Sequence, residues 1–156
     1  MIGLFVLAAA SVSQCRVEDA HYVLRYAPDV TAYFQPVDSS PNWPSGVALV
    51  IRSSKSGKAS WWLPWSGGTN NLQHLASTTE IDARNWRPPN PDDGPRPFGD
   101  REFIGTNATY DVLGDIPRGG KLAPAHMLIP NAGGSHDAIF VTKQFFDPVR
   151  CSPVKP

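Results

Sequence analysis

The sequence predicts an all-β fold, mainly antiparallel: a single-domain β-sandwich or small barrel with a long proline-rich loop. Three observations carry this. Several short segments alternate apolar and polar residues with the two-residue period of a half-buried strand. Gly 13 and Pro 16 among 156 residues punctuate the chain often, yet stay below the density of a low-complexity sequence. Finally, the apolar run Val47-Ala48-Leu49-Val50-Ile51 leads through the polar turn Arg52 to Lys58 into a second β-rich run at 59–65, the pattern of a hairpin.

The elements follow in order. Tyr22, Leu24 and Tyr26 alternate with His21, Val23 and Arg25, and Pro28-Asp29 interrupts before a second β-rich run over 30–37. Five consecutive apolar residues at 47–51 predict a strand covered on both faces. Segment 70–84 mixes weak helical spacing (Leu72, Leu75, Ala76, Thr79) with the β-leaning Ser77-Thr78-Thr79 and Ile81, and is read as strand. Ile104, Thr106, Ala108, Tyr110 and Val112 alternate with Gly105, Asn107, Thr109 and Asp111, predicting one strand over 104–112. Segments 125–129 and 138–146 flank a Gly-rich turn and read as a C-terminal hairpin.

The length suits one domain. Lys+Arg 14 against Asp+Glu 14 gives a formal net charge of +0, which argues against nucleic acid as a partner, because phosphate-backbone affinity comes from cationic excess. Ile2 to Val12 is an uncharged apolar run, too short to span a bilayer as a helix but the length of a signal-peptide core. Ser11 and Ser13 are small residues placed for cleavage after position 13. Residues 1–13 are therefore expected to be a signal peptide, 14–156 the β domain, and the location extracytoplasmic, periplasmic or secreted. The alternative is a buried first strand or helix. Cys15 also raises a lipid anchor, though Gln14 is bulky where a small residue should precede a lipidated cysteine. An oxidising compartment would let Cys15 pair with Cys151 and strap the two ends together.

Residues 84–100 (RNWRPPNPDDGPRPFGD) form the proline-rich loop, either a stiff connection between strands or a binding loop carrying Trp86, Arg87 and Phe98. Strand alternation places Trp61, Leu63 and Trp65 on one face and Trp62 on the other. Trp61 is expected in the core and Trp86 at the surface. Trp65 and Trp86, with Arg87, Asn70 and Asn71, are the candidate ligand-binding residues: rings for a sugar face, amides for its hydroxyls.

Catalytic motifs are sparse. Ser135-His136-Asp137 follows two glycines, but adjacency alone makes no triad, whose side chains converge from separate segments. Gly114 to Leu122 fails as a phosphate loop, with Asp115 and Leu122 at the required Gly and Ser/Thr positions. His21, His74, His126 and His136 have no metal-ligand spacing, so neither metal nor cofactor is expected. Asn107-Ala108-Thr109 matches a glycosylation sequon. The expected function is an exported, non-catalytic binding or accessory domain, with a carbohydrate or an envelope protein as partner. A small hydrolase using polar groups near Ser135 and His136, and a structural subunit of an envelope assembly, are the alternatives.

Overall fold

The computed structural model describes residues 14–69, 72–130 and 143–152, and among these its regular structure is β apart from 3-10 turns at Gln14 and Val17–Asp19. Among the described residues nine strands follow in chain order: β1 (Ala20–Leu24), β2 (Ala27–Pro36), β3 (Val47–Ser53), β4 (Ala59–Gly67), β5 (Leu72–Thr78), β6 (Asp100–Glu102), β7 (Ile104–Thr106), β8 (His126–Leu128) and β9 (Phe146–Cys151). They form one antiparallel sheet in the order β6-β5-β4-β3-β2-β1-β9-β8-β7. Its two edge strands, β6 and β7, are separated in sequence by Phe103 alone. The Phe103 amide donates to Gln73 O at 3.0 Å, after which the chain leaves β5 and pairs with β8. One residue thus nearly closes the sheet into a barrel, covering edges that would otherwise invite pairing with another chain.

Strand alternation fills the barrel. Ala20, Tyr22 and Leu24 of β1, then Val30, Ala32 and Phe34 of β2, point inward, joined by Val47, Leu49 and Ile51 of β3, Trp62, Leu75, Phe103, Met127 and Phe146. Two buried polar groups in this interior find partners: Tyr22 Oη donates to Pro124 O at 2.9 Å, and Trp62 Nε1 to Ser60 Oγ at 2.9 Å. Burial raises the Tyr22 phenol well above its ordinary pKa, so it stays a neutral donor.

As the unbroken apolar run predicts, β3 is covered on both faces. Ala48 and Val50 point outward into a second cluster with Trp43, Leu63, Ala76 and Ile81, flanked by Trp61, Trp65 and Trp86. The material covering this outer face is the 37–46 connection and the proline-rich loop. The barrel therefore carries a partial second layer over β3, β4 and β5.

Three expectations need correction. The strand read over 104–112 stops at Thr106. Asn107 Oδ1 accepts from the amides of Thr109 and Asp111, both at 2.9 Å, and folds the chain back so that Val112 bridges Thr106. An Asx turn of this kind competes with the ladder wherever Asn sits among small polar residues. In the C-terminal hairpin read over 125–129 and 138–146, residues 131–142 lie outside the described residues; β9 begins at Phe146, meets β8 at the Met127–Phe146 pair and then runs along β1. Trp61 is not deeper than Trp86: both are half-buried in the outer cluster, while Trp62 occupies the barrel interior.

The ends are joined as the cysteine pattern suggests. Cys15 and Cys151 form a disulfide with Cα atoms 5.6 Å apart, across a sequence separation of 136. That bond occupies the sulfur a thioether-linked lipid on Cys15 would need. Among the described residues, no helix is long and apolar enough to cross a membrane.

Candidate functional site

Two features singled out in the sequence, Trp65 and the proline-rich loop, meet on the outer face. A cleft of about 390 Å³ lies there, between the 41–44 connection (Pro41, Asn42, Trp43, Pro44), the end of β4 (Trp65, Ser66) and the loop residues Pro91, Asp92 and Arg96, with Ala76 and Asp100 completing it. Trp65 reaches it because β4 alternates, which sends positions 61, 63 and 65 outward. His74, its cross-strand partner on β5, stacks on one face of the indole with centroids 4.3 Å apart and planes 19° apart. Trp65 Nε1 donates to Asp100 Oδ1 at 3.3 Å.

The loop is fastened at several points. Trp43 Nε1 donates to Pro89 O at 2.7 Å, Trp86 Nε1 to Thr78 Oγ1 at 3.2 Å, and the Phe98 amide to Ser77 Oγ at 2.9 Å. The Arg96 guanidinium lies 5.2 Å from the centre of the Trp43 ring and donates to Pro91 O and Pro95 O, each at 3.1 Å. Gly94 permits the tight fold-back: a Cβ there would stand 2.5 Å from both Asn90 O and Pro89 Cβ. Gly94→Ala should therefore displace the loop, lowering stability by about 1–3 kcal/mol through overpacking. Thermal melts of the two proteins check this, an unchanged midpoint being the contrary result.

Of the sequence-selected residues, Trp65 lines the cleft, whereas Trp86 supports the loop from the outer cluster and Arg87 is exposed, donating to Trp86 O. Asn70, Asn71, Ser135 and His136 lie outside the described residues, as do 1–13. Sequence reading missed Trp43, Asp92, Arg96 and Asp100 as one site. The signal available was the acid pair and Arg inside the proline run, but nothing local showed that Trp43 lies across from them.

A second constellation joins distant segments. Arg25 forks onto Asp147, with Nε to Oδ2 and Nη2 to Oδ1 both at 2.7 Å, and also donates to Tyr110 Oη at 2.6 Å. His126 Nδ1 lies 2.8 Å from Asp147 Oδ1, and its ring stacks on Tyr110 with centroids 4.3 Å apart. Tyr110 holds a left-handed φ of +66°, a strained position fixed by the Asn107 turn. The Arg25 fork holds the Asp147 carboxyl below its ordinary range against partial desolvation, with the His126 bond adding to the effect. An ionised carboxylate only accepts, so His126 Nδ1 carries the proton. The pair resembles the orienting half of a general base, but Arg25 already neutralises the carboxylate, and His126 lines neither the Trp65 cleft nor the one bounded by Leu113, Ile116 and Lys121. Its evident role is to pin β1, β8, β9 and the 107–112 turn at one end of the barrel.

This pinning has a pH consequence. A carboxylate depressed in the folded state adds stability above its unfolded pKa, near 3.9, and loses it as pH falls through the lower folded value. Asp147→Asn should melt below the parent at about pH 6, and the gap should shrink towards about pH 2. A gap independent of pH would contradict the assignment.

Comparison with known proteins adds no relative: no protein family, no curated protein and no solved structure matches this chain. Among the described residues, no group of three or more His, Cys, Asp or Glu is placed to hold a metal.

Proposed function

We propose that this chain is an exported, non-catalytic binding domain whose ligand enters the cleft between Trp43, Trp65 and the proline-rich loop. The observation that carries the reading is the convergence of two indoles with two carboxylates in a cleft whose walls are already held in place. Prolines at 41, 44 and 91 line it, and the loop is tied to the barrel by side-chain bonds at Trp43, Trp86 and Ser77. Such a site loses little conformational freedom when a ligand arrives. Export is supported by the leader-like run at 2–12 and by the disulfide, since such bonds persist mainly in oxidising compartments.

Two measurements test the proposal. In a fragment screen read by the indole N–H resonances of the five tryptophans, hits should concentrate on Trp43 and Trp65 and disappear from Trp65→Ala. Hits confined elsewhere, or none, would remove the cleft as the binding site. Intact mass of protein recovered from the producing cell should lack residues 1–13. A full-length cytoplasmic chain would contradict export.

A further inference from the structure

We propose that the ligand of this cleft is an uncharged saccharide, an inference that rests on the binding reading above. The chemistry left available in the cleft selects it. Both indole N–H groups are engaged within the protein, Trp43 with Pro89 O and Trp65 with Asp100 Oδ1. Trp43 is buried, with Arg96 over its ring, and His74 covers one face of Trp65, so the apolar surface left to a ligand is that of Trp65, without an indole donor, which suits the C–H face of a pyranose. Polar recognition falls to the carboxylates of Asp92 and Asp100, the Ser66 hydroxyl and the Asn42 amide. Ionised carboxylates only accept hydrogen bonds, and a ring of vicinal hydroxyls supplies donors for them.

Charge narrows the class further. Asp92 and Asp100 outnumber the single lining cation, Arg96, whose guanidinium is committed to the Trp43 face and to two loop carbonyls. A sulfated or uronic-acid ligand would meet two carboxylates against one guanidinium in this lining. An organic cation would suit the carboxylates, but Arg96 already fills the cation position over Trp43. A neutral sugar can stack on Trp65 and donate to both carboxylates without opposing their charge. The volume of about 390 Å³ lies at the small end of ligand sites, appropriate to a short stretch of glycan with the rest of the chain in solvent.

The mature protein should be run in affinity electrophoresis through gels containing hydroxyethylcellulose, xylan, galactomannan, soluble glycol chitin or polygalacturonate, with choline and a proline-rich decapeptide titrated separately by calorimetry. At least one of the uncharged polysaccharides should retard it. Trp65→Ala should weaken that retardation at least tenfold, Trp65→Phe much less, and the Asp92→Asn/Asp100→Asn pair by a similar large factor with the melting midpoint little changed. Polygalacturonate, choline or peptide binding that Trp65→Ala abolishes, without neutral-glycan binding, would overturn the uncharged-saccharide class and leave the cleft standing. Glycan binding indifferent to Trp65→Ala, or no binding by any probe, would overturn both.

Discussion

Removing the Cys15–Cys151 bridge should lower the melting temperature by roughly 8–20 °C, the largest single effect expected in this molecule. The bridge closes a chain segment with a sequence separation of 136, and a loop of that size restricts the unfolded ensemble by about 4–5 kcal/mol in the chain-entropy account. For a chain of this length each kcal/mol moves the midpoint by about 2–4 °C. The native structure keeps other ties at the same place: the Ala123 amide donates to Cys15 O, Ser152 N to Asp19 O, and Cys151 pairs with Ala20 across β1 and β9. The bridgeless protein should therefore refold to the same barrel. Cys15→Ala/Cys151→Ala and the parent, compared by calorimetry, settle the magnitude. Equal midpoints, with two thiols titrating in the unreduced parent, would mean that the bridge does not form.

Trp62→Ala should cost about 3–5 kcal/mol, the range for truncating a buried aromatic. Trp62 is 5% exposed, fills the barrel interior, donates to Ser60 Oγ and lies 6.2 Å from the Phe98 ring. Phe98 is the point where the proline-rich loop reaches the inner core. Truncation would open a cavity, orphan the Ser60 hydroxyl and release one anchor of the loop together. The neighbouring Trp65→Ala removes a half-buried ring that lines the cleft, so its cost should be clearly smaller. A chemical denaturation series on both variants checks the order. A larger loss for Trp65→Ala would show that its ring supports the outer cluster more than it serves a ligand.

How far the sequence foretold this arrangement depends on the range of each interaction. The hairpin of β3 and β4 and the double-sided burial of β3 were legible, because a period of two and an unbroken apolar run are local signals. So was β5, where Ser77-Thr78 outweighed the weak helical spacing. The end of β7 was misread because hydrophobic periodicity is blind to a side chain that caps its own turn, as Asn107 does. The Trp61 and Trp62 alternation was legible, but not which face was interior, since both faces of β4 are covered. In the cleft, Trp65 and the proline loop were visible separately. Their meeting with Trp43 was not, because Trp43 Nε1 and Pro89 O are 46 residues apart. The Arg25–Asp147 pair, 122 residues apart, had no local signal either.

The paired ends also determine how the domain bears mechanical load. Tension applied to the chain before Cys15 and after Cys151 would run through a covalent link whose Cα atoms lie 5.6 Å apart, by-passing the nine strands between them. Under oxidising conditions the barrel would extend by almost nothing when pulled at its ends. Once the link is reduced, the same pull peels β9 from β1 pair by pair, starting at Ala20 and Cys151. The domain thus has two mechanical states, inextensible and yielding, with the redox potential of its surroundings choosing between them.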